Sequence, residues 1–342
     1  MKVLIIKMSS LGDVIHCLPA MQDLVDDGSE LVIDWVVEEQ FAPLLKASTD
    51  LHQVFTIGLR RWRKRLFSLV TWRELLAFRR RLREESYDLI IDAQGLIKSA
   101  LVAKMARGPV AGFDASSARE PLAAKAYQQR IYVAKQQHAI DRLRQLFALA
   151  MKRPSADSPP DYGLSVKGEG ATTEVMLVHG TTWVSKEWPV CYWVELATMI
   201  ADAGLTPCLT WGNRIERQRC NEIVRAVPSA RIMERMDLAR LMQKIKGMGA
   251  VVAVDTGIGH LAAALATPVI ALYGSTDPAL TGIKSTRAVT LQDKAVSCVP
   301  CRKRTCQYQK NINDGQFVPP CYQSLTPQRV WEQLARAMDF CR

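Results

Sequence analysis

Short, wholly apolar runs alternate with stretches of helical spacing through the first half of the chain. The pattern predicts strands over 3–6, 31–37 and 89–91, and helices over 14–24, 41–46, 71–85, 96–105 and 138–151. Strands that are apolar on both faces and separated by helices belong to parallel sheets covered on both sides. The alternation then breaks. Residues 152–160 read KRPSADSPP, and polar, glycine-containing sequence continues to 170, which predicts a linker. Beyond it the alternation resumes, with strands predicted over 175–178, 207–210, 251–254 and 269–272 and helices over 192–203, 216–226, 238–245 and 259–265. An amphipathic helix over 327–338 closes the chain. The expected fold class is α/β: two Rossmann-like, doubly wound domains facing a central cleft at the carboxyl ends of their strands, where such sheets bind ligands. The expected boundaries are 1–155 for an N-terminal domain, 170–325 for a C-terminal domain, and 326–342 for a helix packing back on the N-terminal domain.

Composition agrees with this division. The chain has 342 residues, 48% of them apolar, which is material for two ordinary cores. No apolar run reaches the roughly 18 residues of a membrane span. The N-terminus, MKVLIIKMSSLGD, lacks a secretory cleavage pattern and reads as a first buried strand, so a cytoplasmic location is expected. Charge adds something the pattern does not. The formal net charge is +11, and residues 60–83 hold ten basic residues against one acidic residue, Glu74. Such a run either faces solvent or meets an acidic partner: nucleic acid, an anionic membrane or a phosphorylated substrate. Nucleic acid is the weaker choice, because the densest basic stretch, 60–67, interleaves only Trp62 and Phe67 and no binding motif is present.

Four loops carry candidate chemistry, each directly after a predicted strand. The first is Lys7-Met8-Ser9-Ser10-Leu11-Gly12-Asp13. Asp13 sits where a helix N-cap is expected, and its position alone favours the cap over a catalytic base. The glycine fingerprint of dinucleotide binding is absent. The second, His179-Gly180-Thr181-Thr182-Trp183-Val184-Ser185-Lys186, offers two hydroxyls and an ammonium to a phosphate. The third is Trp211-Gly212-Asn213 with Glu216, a carboxylate suited to ribose hydroxyls or to a helix N-terminus. The fourth, Asp255-Thr256-Gly257-Ile258-Gly259-His260, opens a helix whose amides and dipole suit a diphosphate; capping by Asp255 or Thr256 is compatible with that use. Three phosphate- or ribose-suited loops in one domain, and an acid in the other, suit a nucleotide-sugar donor and a separate acceptor.

Nine cysteines are present. Cys17, Cys191, Cys208, Cys220 and Cys341 are scattered, whereas Cys298, Cys301, Cys306 and Cys321 form a C-x2-C-x4-C-x14-C cluster. The cluster suits a structural zinc, but free thiols in a surface insert or disulfides formed in air fit the same spacing.

Longer stretches carry a specific resemblance. KMSSLGDVIHCLPA, DWVVEE, RRWRKRLF, DLIIDAQGLIKSA, HGTTWVSKEWP, WGNRIE, VDTGIGHLAAAL and YGSTDP, spread from residue 1 to about 282, resemble the lipopolysaccharide heptosyltransferase family, glycosyltransferase family 9, and within it the heptosyltransferase I branch most. The resemblance implies a GT-B fold and an inverting, metal-independent transfer of L-glycero-D-manno-heptose from ADP-heptose to Kdo-bearing lipid A, at the cytoplasmic face of the inner membrane. It implies Asp13 as general base, so that the residue serves as cap and base together. It implies donor contacts at Thr181, Thr182, Lys186, Glu216, Asp255, Thr256, Gly257 and His260, with Lys186 also stabilising the leaving phosphate. It implies acceptor contacts at Ser10, Arg60, Arg61, Arg63, Lys64 and Arg119. The basic run is then explained by an acceptor rich in phosphate and carboxylate. The cysteine cluster departs from the enterobacterial pattern of this branch, which leaves a heptosyltransferase II-like enzyme or one using Kdo-phosphate lipid A as alternatives. Intact Asp13, Lys186 and Asp255 argue against an inactive relative.

Overall fold

The structure is a computed structural model that describes residues 1–26, 30–65, 67–169, 172–308 and 317–339. Gly170 at the expected domain start, Leu66 of the basic run, and Cys341 within the expected C-terminal segment lie outside the described residues. The chain divides into two compact units, Met1–Ser165 and Val166–Arg342.

The first unit holds β1 (Lys2–Ile6), β2 (Val32–Glu38), β3 (Gln53–Ile57), β4 (Leu89–Asp92), β5 (Val110–Phe113) and β6 (Gln129–Ile131). They form one sheet in the order β3-β2-β1-β4-β5-β6, every pair parallel. The second unit repeats this with β7 (Glu174–Val178), β8 (Thr206–Leu209), β9 (Arg231–Ile232), β10 (Ala250–Val254), β11 (Val269–Tyr273) and β12 (Ala288–Gln292), ordered β12-β11-β10-β7-β8-β9. In both sheets the order reverses beside the first strand of the unit, between β1 and β4 and between β7 and β10. Loops leaving those two neighbours diverge to opposite faces and open a crevice at the carboxyl edge. The central strands are apolar on both faces because helices cover both: Val3 to Ile6 and Ala250 to Val254 are fully buried.

Three expectations change. The helix predicted over 14–24 is two helices, Leu11–Ile15 and Leu18–Val25. Pro19 has no N–H and its ring would strike the carbonyl four residues earlier, so the helix must restart. The proline- and serine-rich stretch expected as a linker is tied to the first unit. Arg144, buried, chelates Asp23 at 2.6 and 2.7 Å and donates to the carbonyl of Ser158, while the Ser165 amide donates to Ala47. The last helix, Pro327–Asp339, was expected on the N-terminal domain. It instead packs on helix Val190–Asp202 and on β10 and β11, sinking Val330 and Leu334 into the core of the second unit with Tyr322 and Leu325. Its apolar stripe finds a partner within its own unit, which is the shorter route to burial.

Candidate functional site

In the second unit the loop after β7 and the turn after β10 meet where strand order reverses. Residues Val184–Lys186 form a 3-10 turn that lays the Lys186 ammonium 2.7 Å from Asp255 Oδ2. The Thr276 hydroxyl donates to the same oxygen at 2.6 Å, His260 Nε2 lies 3.8 Å from Oδ1, and the Thr181 hydroxyl donates to the Asp255 carbonyl at 3.3 Å. Burial alone would raise the Asp255 carboxyl. His260, Lys186 and Thr276 outweigh it and hold the group at about 2, so it is ionised throughout the physiological range. The Lys186 ammonium also sits over the Trp183 ring, 4.6 Å from its centroid. Thr256 occupies the N-cap of helix Gly257–Ala264, leaving the first amides of that helix at the crevice. Thr182 is exposed in the β7 loop.

Glu216 follows β8 in the first turn of helix Arg214–Ala226, whose N-cap is Asn213. Its carboxylate accepts from the Gly212 amide at 2.6 Å and from Asn213 Nδ2 at 2.7 Å. A Cβ at Gly180 would stand 2.5 Å from the Glu216 carboxyl carbon, so a larger residue there would displace the Glu216 carboxylate from its present position. Beneath them His179 is buried, with Nε2 3.2 Å from Cys220 Sγ. Burial, helped by Arg219, lowers its pKa to about 4 and keeps the ring neutral.

The cysteine cluster is stitched to this loop. Ser185 donates its amide to the Arg304 carbonyl at 3.1 Å and its hydroxyl to the Lys303 carbonyl, and it meets the Ser275 hydroxyl at 3.0 Å. The Tyr322 hydroxyl, next to Cys321, donates to the Lys186 carbonyl at 2.7 Å. Cys298, Cys301, Cys306 and Cys321 line one small cavity with Ser185 and Ser275. The eight described cysteines are free thiols. Burial first, then the neighbouring Cys306, Cys298 and Cys301, pushes the Cys321 thiol up to about 12. Among the described residues no group of three or more His, Cys, Asp or Glu side chains is set to hold a metal ion.

In the first unit the loops after β1, β4 and β5 come together. Asp13 is not the N-cap, as expected, but the third residue of helix Leu11–Ile15. Its Oδ2 accepts from the amide and the hydroxyl of the true cap, Ser10, at 2.9 and 3.0 Å. Gln94, after β4, accepts from the Met8 amide at 2.9 Å, and Lys7 Nζ donates to the Ala93 carbonyl at 2.9 Å. The Glu120 amide donates to Gly95, which brings exposed Arg119 to this edge. The basic residues lie at the ends of β2 and β3. Glu38, buried and with its pKa raised by burial, accepts from the Arg60 amide at 3.2 Å and so anchors helix Leu59–Arg63. Arg61 is held by Glu39 and Glu74 at 3.3 and 2.6 Å, whereas Arg63 and Lys64 are exposed.

Several residues of these edges carry no role in the sequence reading: Glu38, Gln94, Thr276 and Tyr322. Glu38, Gln94 and Thr276 stand inside stretches that carry the resemblance, DWVVEE, DLIIDAQGLIKSA and YGSTDP. That was the available signal. Tyr322 had none.

Comparison with known proteins agrees with the geometry. The model of glycosyltransferase family 9 (heptosyltransferase) matches residues 75–312. Lipopolysaccharide heptosyltransferase 1 of Pseudomonas aeruginosa is 42% identical, over 98% of this chain and 97% of that protein. Lipopolysaccharide heptosyltransferase 1 of Escherichia coli K12 is 40% identical, over 82% of this chain and 90% of its own length. The solved structure of E. coli heptosyltransferase WaaC with ADP superposes with a TM-score of 0.80 at 37% identity, covering 85% of this chain and 92% of that one. The chain belongs to glycosyltransferase family 9: it is a glycosyltransferase of the GT-B fold with heptosyltransferase I function.

Proposed function

We propose that the chain transfers L-glycero-D-manno-heptose from ADP-heptose to the Kdo of Kdo-bearing lipid A, with inversion at the anomeric carbon. The observation that carries the donor half is the Lys186–Asp255 contact at 2.7 Å, which joins the loops after the two central strands of the second unit. The ADP of the WaaC structure is the model for its ligand. In this reading Asp255 does not touch phosphate, since two anions repel. It holds Lys186, Thr276 and His260 in place, and Lys186, Thr181, Thr182 and the amides at Thr256 and Gly257 face the diphosphate. Glu216 takes the ribose hydroxyls. No divalent ion is needed, because Lys186 and the helix amides meet the charge that grows on the departing ADP.

The acceptor hydroxyl attacks the anomeric carbon as the bond to the diphosphate oxygen breaks. The electron pair leaves with ADP, and Asp13 takes the hydroxyl proton. Ser10 fixes the carboxylate through Oδ2, leaving Oδ1 outside those two bonds. Arg60, Arg61, Arg63, Lys64 and Arg119 face the acceptor's phosphates and carboxylates. The enzyme works on the cytoplasmic face of the inner membrane as a peripheral protein. A transfer assay with ADP-heptose tests the whole reading against three acceptors: Kdo2-lipid A, Kdo-phosphate lipid A and a heptosylated acceptor. Turnover on the first is expected; turnover confined to either of the others replaces it with that alternative.

Structural zinc at Cys298, Cys301, Cys306 and Cys321 rests on their shared cavity. Binding it requires the four thiols to ionise and turn inward. Element analysis of the purified protein decides between this and free thiols: zinc at about one per chain supports the site, and four titratable thiols without metal remove it.

A further inference from the structure

The basic region carries a second property besides charge. Helix Leu69–Leu82 buries Thr71, Phe78 and Leu82, and its one acid, Glu74, is turned toward Arg61 and Trp62. The opposite face is apolar at its start and basic at its end. Leu69, Trp72 and Leu76, spaced i, i+3 and i+7, are 81%, 55% and 60% exposed, and Phe67 just before them is fully exposed. The same stripe continues one and two turns on as Arg79 and Arg83, with exposed Arg73 and Arg80 along its border. Exposed large apolar side chains gathered on one element mark an interaction surface.

We propose that Phe67, Leu69, Trp72 and Leu76 seat in the interfacial layer of an anionic phospholipid bilayer, while Arg73, Arg79 and Arg80 take lipid phosphates. The proposal rests on the reading of the acceptor as a membrane lipid. The occupant follows from charge. No carboxylate lies on this stripe, so a second copy laid on it would set arginine against arginine, whereas an anionic bilayer offers hydrocarbon to the apolar half and phosphate to the basic half. No helix among the described residues is long and apolar enough to cross a membrane, so the helix lies in the plane of the surface. A purely basic patch releases when salt screens it. Apolar side chains seated below the headgroups do not.

The test is sedimentation of the full chain with vesicles of phosphatidylcholine alone or mixed with phosphatidylglycerol. It is run at low salt and at about 1 M, where the screening length is about 3 Å. The wild type is expected to bind the anionic vesicles and to stay bound in high salt. The variant Phe67→Ser, Leu69→Ser, Leu76→Ser alters only exposed side chains and should keep its circular dichroism and its transfer to a deacylated, water-soluble acceptor. Its high-salt affinity for vesicles should fall about tenfold or more, with low-salt binding largely kept. Complete release of the wild type in high salt overturns the proposal, as does a variant that binds like the wild type. A wild-type dimer that the variant converts to monomer also overturns it, in favour of a contact between copies. Lack of transfer to any Kdo acceptor, with salt-resistant vesicle binding intact, overturns the acceptor reading and leaves the membrane surface standing.

Discussion

The two units share one strand order, yet their carboxyl edges are built in opposite ways. In the second unit Lys186 with Asp255 and Arg219 with Glu187 are paired and mostly withdrawn from solvent, and the more exposed Arg302 is paired with Asp277. In the first unit Arg60, Arg63, Lys64 and Arg119 stand exposed, while Arg61 is bridged to Glu39 and Glu74. A compact diphosphate is recognised best by donors held rigid before it arrives, because ordering them during the reaction would cost part of the stabilisation. A large amphipathic acceptor is met by a broad surface of long side chains, each contributing little until water is excluded. One topology thus supports a pre-organised pocket and an adaptable face, and the difference lies in how the loops pair their charges.

The sharpest way to break this contrast is at the first-unit carboxylate that Ser10 holds in place. Asp13→Asn should lower kcat by about 10²–10⁴-fold, the contribution of a positioned base, while the Kd for ADP measured by calorimetry stays unchanged. Retention of more than about a tenth of the wild-type kcat excludes the base role. Next in size is Lys186→Met, expected to lower kcat by about 10²–10³-fold. It should also lower stability by about 1–3 kcal/mol, since Asp255 loses one partner of a buried carboxylate; denaturant unfolding reads the second effect. A kcat loss without any stability change would mean that the pair does not form in solution.

At the exposed edge the effects divide differently. Arg63→Gln with Lys64→Gln should raise the acceptor KM about tenfold or more and leave the donor KM alone, each desolvated contact to an anion being worth about 1.5–3 kcal/mol. Arg61→Gln should do less, because Glu39 and Glu74 already engage that guanidinium. Equal effects on both substrates would return these cations to ordinary solvated charge. The last effect is one of pH on the stability of the second unit and is graded rather than stepwise. His179 has its pKa lowered to about 4 from 6.5, so the unfolded chain binds a proton that the folded chain refuses between these values. Stability is therefore full above about pH 6.5 and declines as pH falls toward about 4, by at most about 1.4 kcal/mol per unit. Asp255 adds a further loss as pH falls through about 2. His179→Gln should flatten the first slope in thermal unfolding across that range, and an unchanged slope would assign it to other groups.

Much of this molecule was legible from the residues. Central strands such as β1 and β10 are apolar on both faces and could be read directly, as could the loops that follow them. Strands β3, β5 and β6 were not read, because QVFTI, VAGF and QRI are short and lack a distinctive pattern. They are strands because a neighbour already in the sheet offers them hydrogen bonds. The same holds at the site. Lys186 and Asp255 were named from their own motifs, but their contact joins residues far apart in sequence, and no local pattern encodes it.

What the sequence determined by itself is therefore local: strand and helix periodicity, the loops that carry chemistry, and the family. The tertiary structure decided which of those groups share a charge, a cavity or a face. It made Asp13, the third residue of its helix, the capping-box partner of Ser10 rather than a cap, tied the cysteine segment to the Lys186 loop, and kept the final helix in the second unit. It also turned Leu69, Trp72 and Leu76 outward. The physical reason is the same in each case. Backbone preference and helical spacing act over a few residues, whereas burial and ion pairing depend on which distant segments the packed sheets bring within a few ångströms.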